Sequence, residues 1–248
     1  MANERARAPG EVRTYVIRNT NMSPQRREAY RRLCPHYCIP YAAERRDLSA
    51  AFANPQAPLV LEIGFGMGYA TVELAERNPE VNYLGIEVHQ PGVARVLRQI
   101  EKRGLENLRV IHHDAVEVIR DMVPPRSFAG CHIFFPDPWP KKRHHKRRLI
   151  QPAFPGFLAP ALADGAYVYI VTDWHDYAEQ ILAAFEHAEE FENSYDGFAP
   201  KQDWRPETPF ERKGRAQDHP IFEMHFVLSS RADSNRLSQQ EPESTGEV

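Results

Sequence analysis

Cysteine is scarce: three residues in 248, an odd and small count that argues against a disulfide framework and for a reducing compartment. No apolar run approaches the roughly 20 residues needed to span a bilayer, so no membrane-spanning segment is expected. The first residues include Glu4, Arg5 and Arg7, which is unlike a secretory signal. A uniformly basic coat is also missing, because the formal net charge is −3. No internal repeat is found. Cytoplasm is the expected location, and a monomer the expected state, with a homodimer left open.

What is present is enough for one large α/β domain, since 42% of the residues are hydrophobic. Charge is unevenly spread. Residues 1–46 hold ten arginines against four acids, and 141–148 reads KKRHHKRR. Ser23-Pro24 followed by QRREAYRRL supplies an N-cap residue, a proline for the first helical position and good helix formers. Pro35, Pro40, Pro55 and Pro58 punctuate the passage that follows. The expected division is a basic N-terminal arm with a short helix (1–45), a main domain (46–230) and a polar, disordered tail (231–248).

From Leu59 short apolar runs alternate with helical stretches. Strands are expected at 59–65, 81–88, 108–114, 130–136, 166–173 and 221–229. Helices are expected between them, one stopping at Asn78-Pro79, one capped by Gly104, one in AVEVIRDM, one around 153–163, and one in DYAEQILAAFEHAEEF. This alternation implies a doubly wound, mostly parallel sheet with right-handed crossovers. Such sheets bind ligands outside the carboxyl ends of their strands, where strand order reverses.

The first strand runs into Gly64-Phe65-Gly66-Met67-Gly68, a turn that lets a ligand approach the backbone closely. Glu87 ends the second strand about 20 residues on, where it suits ribose hydroxyls. So far a nicotinamide dinucleotide and S-adenosylmethionine fit equally. Glu62 favours the methyl donor, because a carboxylate there suits an ammonium and a sulfonium but would repel a pyrophosphate. The Gly-x-Gly-x-Gly spacing also departs from the dinucleotide pattern. Asp114 ends the third strand and suits an adenine amine.

After the fourth strand comes Phe135-Pro136-Asp137-Pro138-Trp139-Pro140. Three prolines in five residues make a stiff turn, presenting a carboxylate and an indole suited to holding a flat base. The octet Lys141 to Arg148 follows, where polynucleotide phosphates would lie. Cys34 and Cys38 lack the further ligands zinc needs, so no metal is expected. His112 and His113 are read as strand-end structure.

These residues together resemble the bacterial-type tRNA (guanine-N7-)-methyltransferase family. The likeness runs through residues 13–30, LEIGFGMG (61–68), GIEVH (85–89), FPDPWPKKRHHKRR (135–148), VTDW (171–174) and RPETPFERKG (205–214). It implies a class I, Rossmann-like methyltransferase fold that uses S-adenosylmethionine and acts on tRNA at N7 of guanine 46. It further implies that Glu62, Glu87, Asp114 and Asp137 contact the cofactor, beside the turn of Gly64, Gly66 and Gly68 read above, Asp137 being also catalytic. Lys141, Asp173 and the stretch Arg143, His144, His145, Lys146, Arg147 and Arg148 would touch RNA, as would Thr208, Pro209, Phe210 and Glu211. Pro209 stands where the family carries lysine. Guanine N7 has a lone pair and no proton, so the expected chemistry is in-line displacement, helped by positioning and electrostatics. Asp137 would act either on the developing charge or by gripping the N1–H and N2 edge of the base.

Overall fold

The computed structural model describes residues 14–15, 22–215 and 220–229. The expected tail and, in the N-terminal arm, residues 1–13 and 16–21 lie outside the described residues. Among the described residues seven strands form one sheet in the order β3-β2-β1-β4-β5-β7-β6. They are β1 (Leu59–Ile63), β2 (Asn82–Ile86), β3 (Leu108–Ile111), β4 (Phe128–Phe134), β5 (Leu162–Thr172), β6 (Phe191–Asn193) and β7 (Phe222–Leu228). The first five are parallel. β7 runs antiparallel to β5, and β6 antiparallel to β7. Order reverses between β1 and β4, so a crevice opens at their carboxyl ends.

The flanking helices are α1 (Pro24–Tyr37), α2 (Tyr69–Arg77), α3 (Gln90–Arg103), α4 (Ala115–Asp121), α5 (Phe154–Leu158), α6 (His175–Glu186) and α7 (Pro209–Arg215). Periodicity explains the long ones. In α3, Val93, Val96, Leu97 and Ile100 form one fully buried stripe. Gly104 then ends the helix in the left-handed region, at φ 63°. α1 starts at Ser23, whose hydroxyl accepts from the Arg26 N–H at 3.4 Å, and it buries Ala29 and Leu33. Arg32 of α1 grips both carboxylate oxygens of Glu101 in α3, at 2.5 and 2.8 Å. All five residues of β1 are buried, as a strand covered on both faces requires.

Several expectations are corrected. Pro35 does not end α1 but sits inside it. It lacks the N–H that would reach Arg31, and both residues are exposed, so water can satisfy that carbonyl. The helix around 153–163 is only α5 plus a 3-10 turn at Ala159–Ala161, and β5 starts at Leu162. Backbone bonds from Arg126 and Ser127 to the carbonyls of Pro160 and Ala161 hold that turn. β6, α7 and a 3-10 helix at Lys142–Arg147 were not expected. Each is too short or too polar to carry a hydrophobic period.

Candidate functional site

A cavity of about 500 Å³ fills the crevice between β1 and β4. Its wall includes Glu62, the Gly64–Gly68 turn, Pro136 to Pro138, Asp173, Trp174 and Thr208 to Phe210. Residues far apart in sequence therefore meet on one surface.

The turn is built on three left-handed glycines, with φ of 73°, 55° and 64° at Gly64, Gly66 and Gly68. A β-carbon at Gly64 or Gly66 would meet nothing within 4 Å, so the turn leaves open space beside its backbone. Glu87 braces it. One oxygen accepts from the Gly66 N–H at 2.6 Å, the other from the Val88 and His89 N–H groups at 2.7 and 2.8 Å. A carboxylate has about four acceptor sites, which leaves room for one more donor such as a ribose hydroxyl. A further glycine was missed. Gly92, in the first turn of α3, lets the helix touch the loop, because a β-carbon there would lie 1.9 Å from the Gly66 carbonyl oxygen. Its signal was a glycine inside a strongly amphipathic helix, where propensity disfavours it. Gly92→Ala is expected to destabilise the protein by about 1–3 kcal/mol through overpacking against backbone, measured by denaturant unfolding.

Glu62 is 3% exposed, and its Oε2 has no hydrogen-bond partner. Burial pushes its carboxyl up to about 8. A buried acid with one unpaired oxygen on a cavity wall has the chemistry to meet a cationic group. Next along the edge come Glu87 and Asp114, neither of which lines this cavity. Asp114 caps α4, accepting from the Val116 N–H at 2.9 Å.

Asp137 is exposed and lines the same cavity as the glycine turn. It is held by strained backbone: Phe135 and Trp139, two residues to either side, have φ of 52° and 46°. The indole of Trp139 does not face the cavity as expected. It donates to the Thr14 carbonyl at 3.1 Å and lies beneath the Arg147 guanidinium, 3.9 Å from its ring centre. The exposed rings at the cavity are instead Tyr69, Trp174 and Phe210, 43%, 37% and 55% exposed, and Tyr69 lies under the Arg95 guanidinium. Phe210 meets Phe135 edge-on at 5.1 Å.

The basic octet divides in two. Lys141, Lys142, Arg143 and Lys146 are exposed, and His144 and His145 half-buried. Arg148 is turned inward, 1% exposed. It donates to Pro138 O, Gln180 Oε1 and Asp176 Oδ1 at 2.8, 2.8 and 2.7 Å, tying the Asp137 turn to α6. An arginine so engaged has no surface left for a phosphate, which corrects the expectation for that residue. Lys141 is exposed beside the cavity wall and not part of it, whereas Asp173 lines the cavity half-buried.

The late segment forms the start of α7. Thr208 Oγ1 accepts from the Glu211 N–H at 3.1 Å, and Pro209 takes the first helical position. There a missing N–H costs nothing, so proline is compatible with the start of the helix. Thr208, Pro209 and Phe210 reach the cavity, but Glu211 is fully buried against Arg205 and points away from solvent. His112 bonds the Tyr30 hydroxyl at 2.8 Å, and His113 stacks on Tyr41, so both are structural. Among the described residues no group of three or more His, Cys, Asp or Glu side chains is placed to hold a metal ion. None of the described helices is long and apolar enough to cross a membrane.

Comparison with known proteins gives a consistent picture. A family model described as "Putative methyltransferase" matches residues 56–224. A protein of Bordetella pertussis named tRNA (guanine-N(7)-)-methyltransferase is 46% identical over 221 residues, covering 88% of this chain and 87% of its own. One of the same name from Thiobacillus denitrificans is 48% identical over 215 residues, 87% of this chain and 94% of its own. Among solved structures, the 16S rRNA methyltransferase KamB superposes with a TM-score of 0.53 at 15% identity, over 70% of this chain and 88% of that one. That likeness concerns the fold.

Proposed function

Because the chain belongs to the tRNA (guanine-N7-)-methyltransferase family, we propose that it methylates N7 of guanine 46 in the variable loop of tRNA, using S-adenosylmethionine, by direct in-line displacement. The observation that carries this reading is the shared cavity: the glycine turn, Glu62 with its unpaired Oε2, and Asp137 all line it.

The residues fit the donor. Glu62 would take its ammonium group, the turn its amino-acid moiety, Glu87 its ribose hydroxyls and Asp114 the adenine end. When bound, the donor supplies an electrophilic methyl on a sulfonium. The chain's own residues then position the acceptor base. Asp137 faces the purine as positive charge develops on it, and Trp174 or Phe210 offers a ring for it to lie against. Asp173, Thr208 and Pro209 complete the base side, while Lys141, Arg143, His144, His145, Lys146 and Arg147 run outward where RNA phosphates would pass. The division into an arm with a short helix (1–45), a methyltransferase domain (46–230) and a tail (231–248) is part of the same proposal. So is a cytoplasmic location, which suits three free thiols.

The experiment is methyl transfer from labelled donor to two tRNA transcripts, one with guanosine and one with adenosine at position 46. N7-methylguanosine is expected in the digest of the first alone. Label in both, or on another atom, overturns the assignment of that position.

A further inference from the structure

Resting on that functional reading, we propose that Arg205 is a positioning residue: it clasps α7 to β7 and so holds Phe210 at the rim of the cavity. The Arg205 side chain is 1% exposed, between carboxylates that are 0% and 3% exposed. Nη1 and Nη2 donate to the two oxygens of Glu211 in α7, at 2.6 and 2.8 Å. Nη2 and Nε donate to the two oxygens of Glu223 in β7, at 2.6 and 3.1 Å. The Tyr169 hydroxyl of β5 donates to the same Glu223, which pairs across the sheet with Val171.

A buried cluster of this kind is a poor source of stability, because desolvating three charges offsets most of their attraction, and an apolar trio would serve a fold as well. What it supplies is a single geometry. The planar guanidinium fork satisfies two carboxylates in one orientation only. α7 needs that constraint. It is seven residues long and offers almost no apolar face, and its one aromatic ring, Phe210, faces outward. Glu211 is thus its anchor. Phe210 in turn rests against Phe135, the strained residue two positions before Asp137. Displacing α7 removes one wall of the base site and a support of the Asp137 turn, yet leaves the glycine turn and Glu62 untouched.

The test is Arg205→Lys, which keeps the charge and loses the fork, with Phe210→Ala and the double variant. Hydrogen exchange of the amides of residues 210–214 is expected to accelerate at least about tenfold, with those of β1 and β4 unchanged. Donor Kd should stay within about threefold while kcat/KM for tRNA falls at least about tenfold, and the double variant should be no slower than Phe210→Ala alone. Unchanged exchange in α7, a parallel loss of donor affinity, or additive effects in the double variant would each overturn the proposal. If Arg205→Lys does not fold, Glu211→Gln carries the same expectations. Should the unaltered chain transfer no methyl to tRNA, the functional reading fails by itself and the exchange measurement still judges the clasp.

Discussion

Asp137→Ala is expected to lower kcat by roughly 10²- to 10³-fold while donor Kd moves by no more than about threefold. A carboxylate about 4 Å from the charge developing on the purine, at an effective dielectric near 20, stabilises it by roughly 4 kcal/mol before desolvation is subtracted. At about 1.4 kcal/mol per decade that places the upper bound near 10³. The fold should not notice the change. Asp137 is exposed and accepts no hydrogen bond from the described residues, so stability should stay within about 0.5 kcal/mol. The strain at Phe135 and Trp139 belongs to the backbone and survives truncation of the side chain between them.

Asp137→Asn separates the two roles open to that side chain. If charge is what matters, asparagine is nearly as slow as alanine. If the carboxylate grips the N1–H and N2 edge of guanine, the amide oxygen keeps part of the grip and recovers activity. Single-turnover rates with enzyme in excess, beside a calorimetric titration of the donor, give both numbers. Equal losses in kcat and donor affinity would reduce Asp137 to a donor-binding residue.

The legible parts of this molecule are those fixed by local constraints. The glycine turn could be read because left-handed backbone at Gly64, Gly66 and Gly68 is a steric demand that few residues meet. α3 could be read because its buried stripe repeats at the helical period. The stiffness of the Asp137 turn follows from its prolines. What escaped was set by distant partners. Trp139 is turned from the cavity by a carbonyl 125 residues away in sequence, at Thr14. Arg147 and Arg148 are neighbours in one charge run, but only the second meets Asp176 and Gln180 of α6, and so only it is buried. Glu211, a substrate contact by resemblance, is buried against Arg205, which Glu223 of the antiparallel strand β7 also holds. Burial of a charge is decided by its partner, and sequence spacing does not name that partner.

Glu62→Gln is expected to weaken donor binding by about 10²-fold and to abolish the rise of affinity with pH below about 7.5, because removing one member of a buried charge pair typically costs at least 2 kcal/mol. The parent's dependence follows from linkage. With the site empty, burial holds the Glu62 carboxyl protonated up to about 8; with a cationic ligand against it, the carboxylate form is favoured. Binding therefore releases up to one proton, and affinity rises by as much as about tenfold per unit between about pH 6 and 7.5. Above that range the donor's own amine, with an ordinary value near 7.7–8.0, begins to lose its charge and opposes the trend. The stability of the empty protein moves the other way. Its folded value lies above the unfolded one, so the contribution is complete below about pH 4.3 and declines as pH rises towards 8. Glutamine carries no such penalty, so at pH near 8 the variant should melt above the parent while binding the donor far more weakly. Calorimetry in two buffers of different ionisation enthalpy counts the proton, and thermal melts without donor give the stability. An unchanged donor Kd, or a variant that melts below its parent at that pH, would mean that the carboxylate faces no cation and that its burial serves the fold alone.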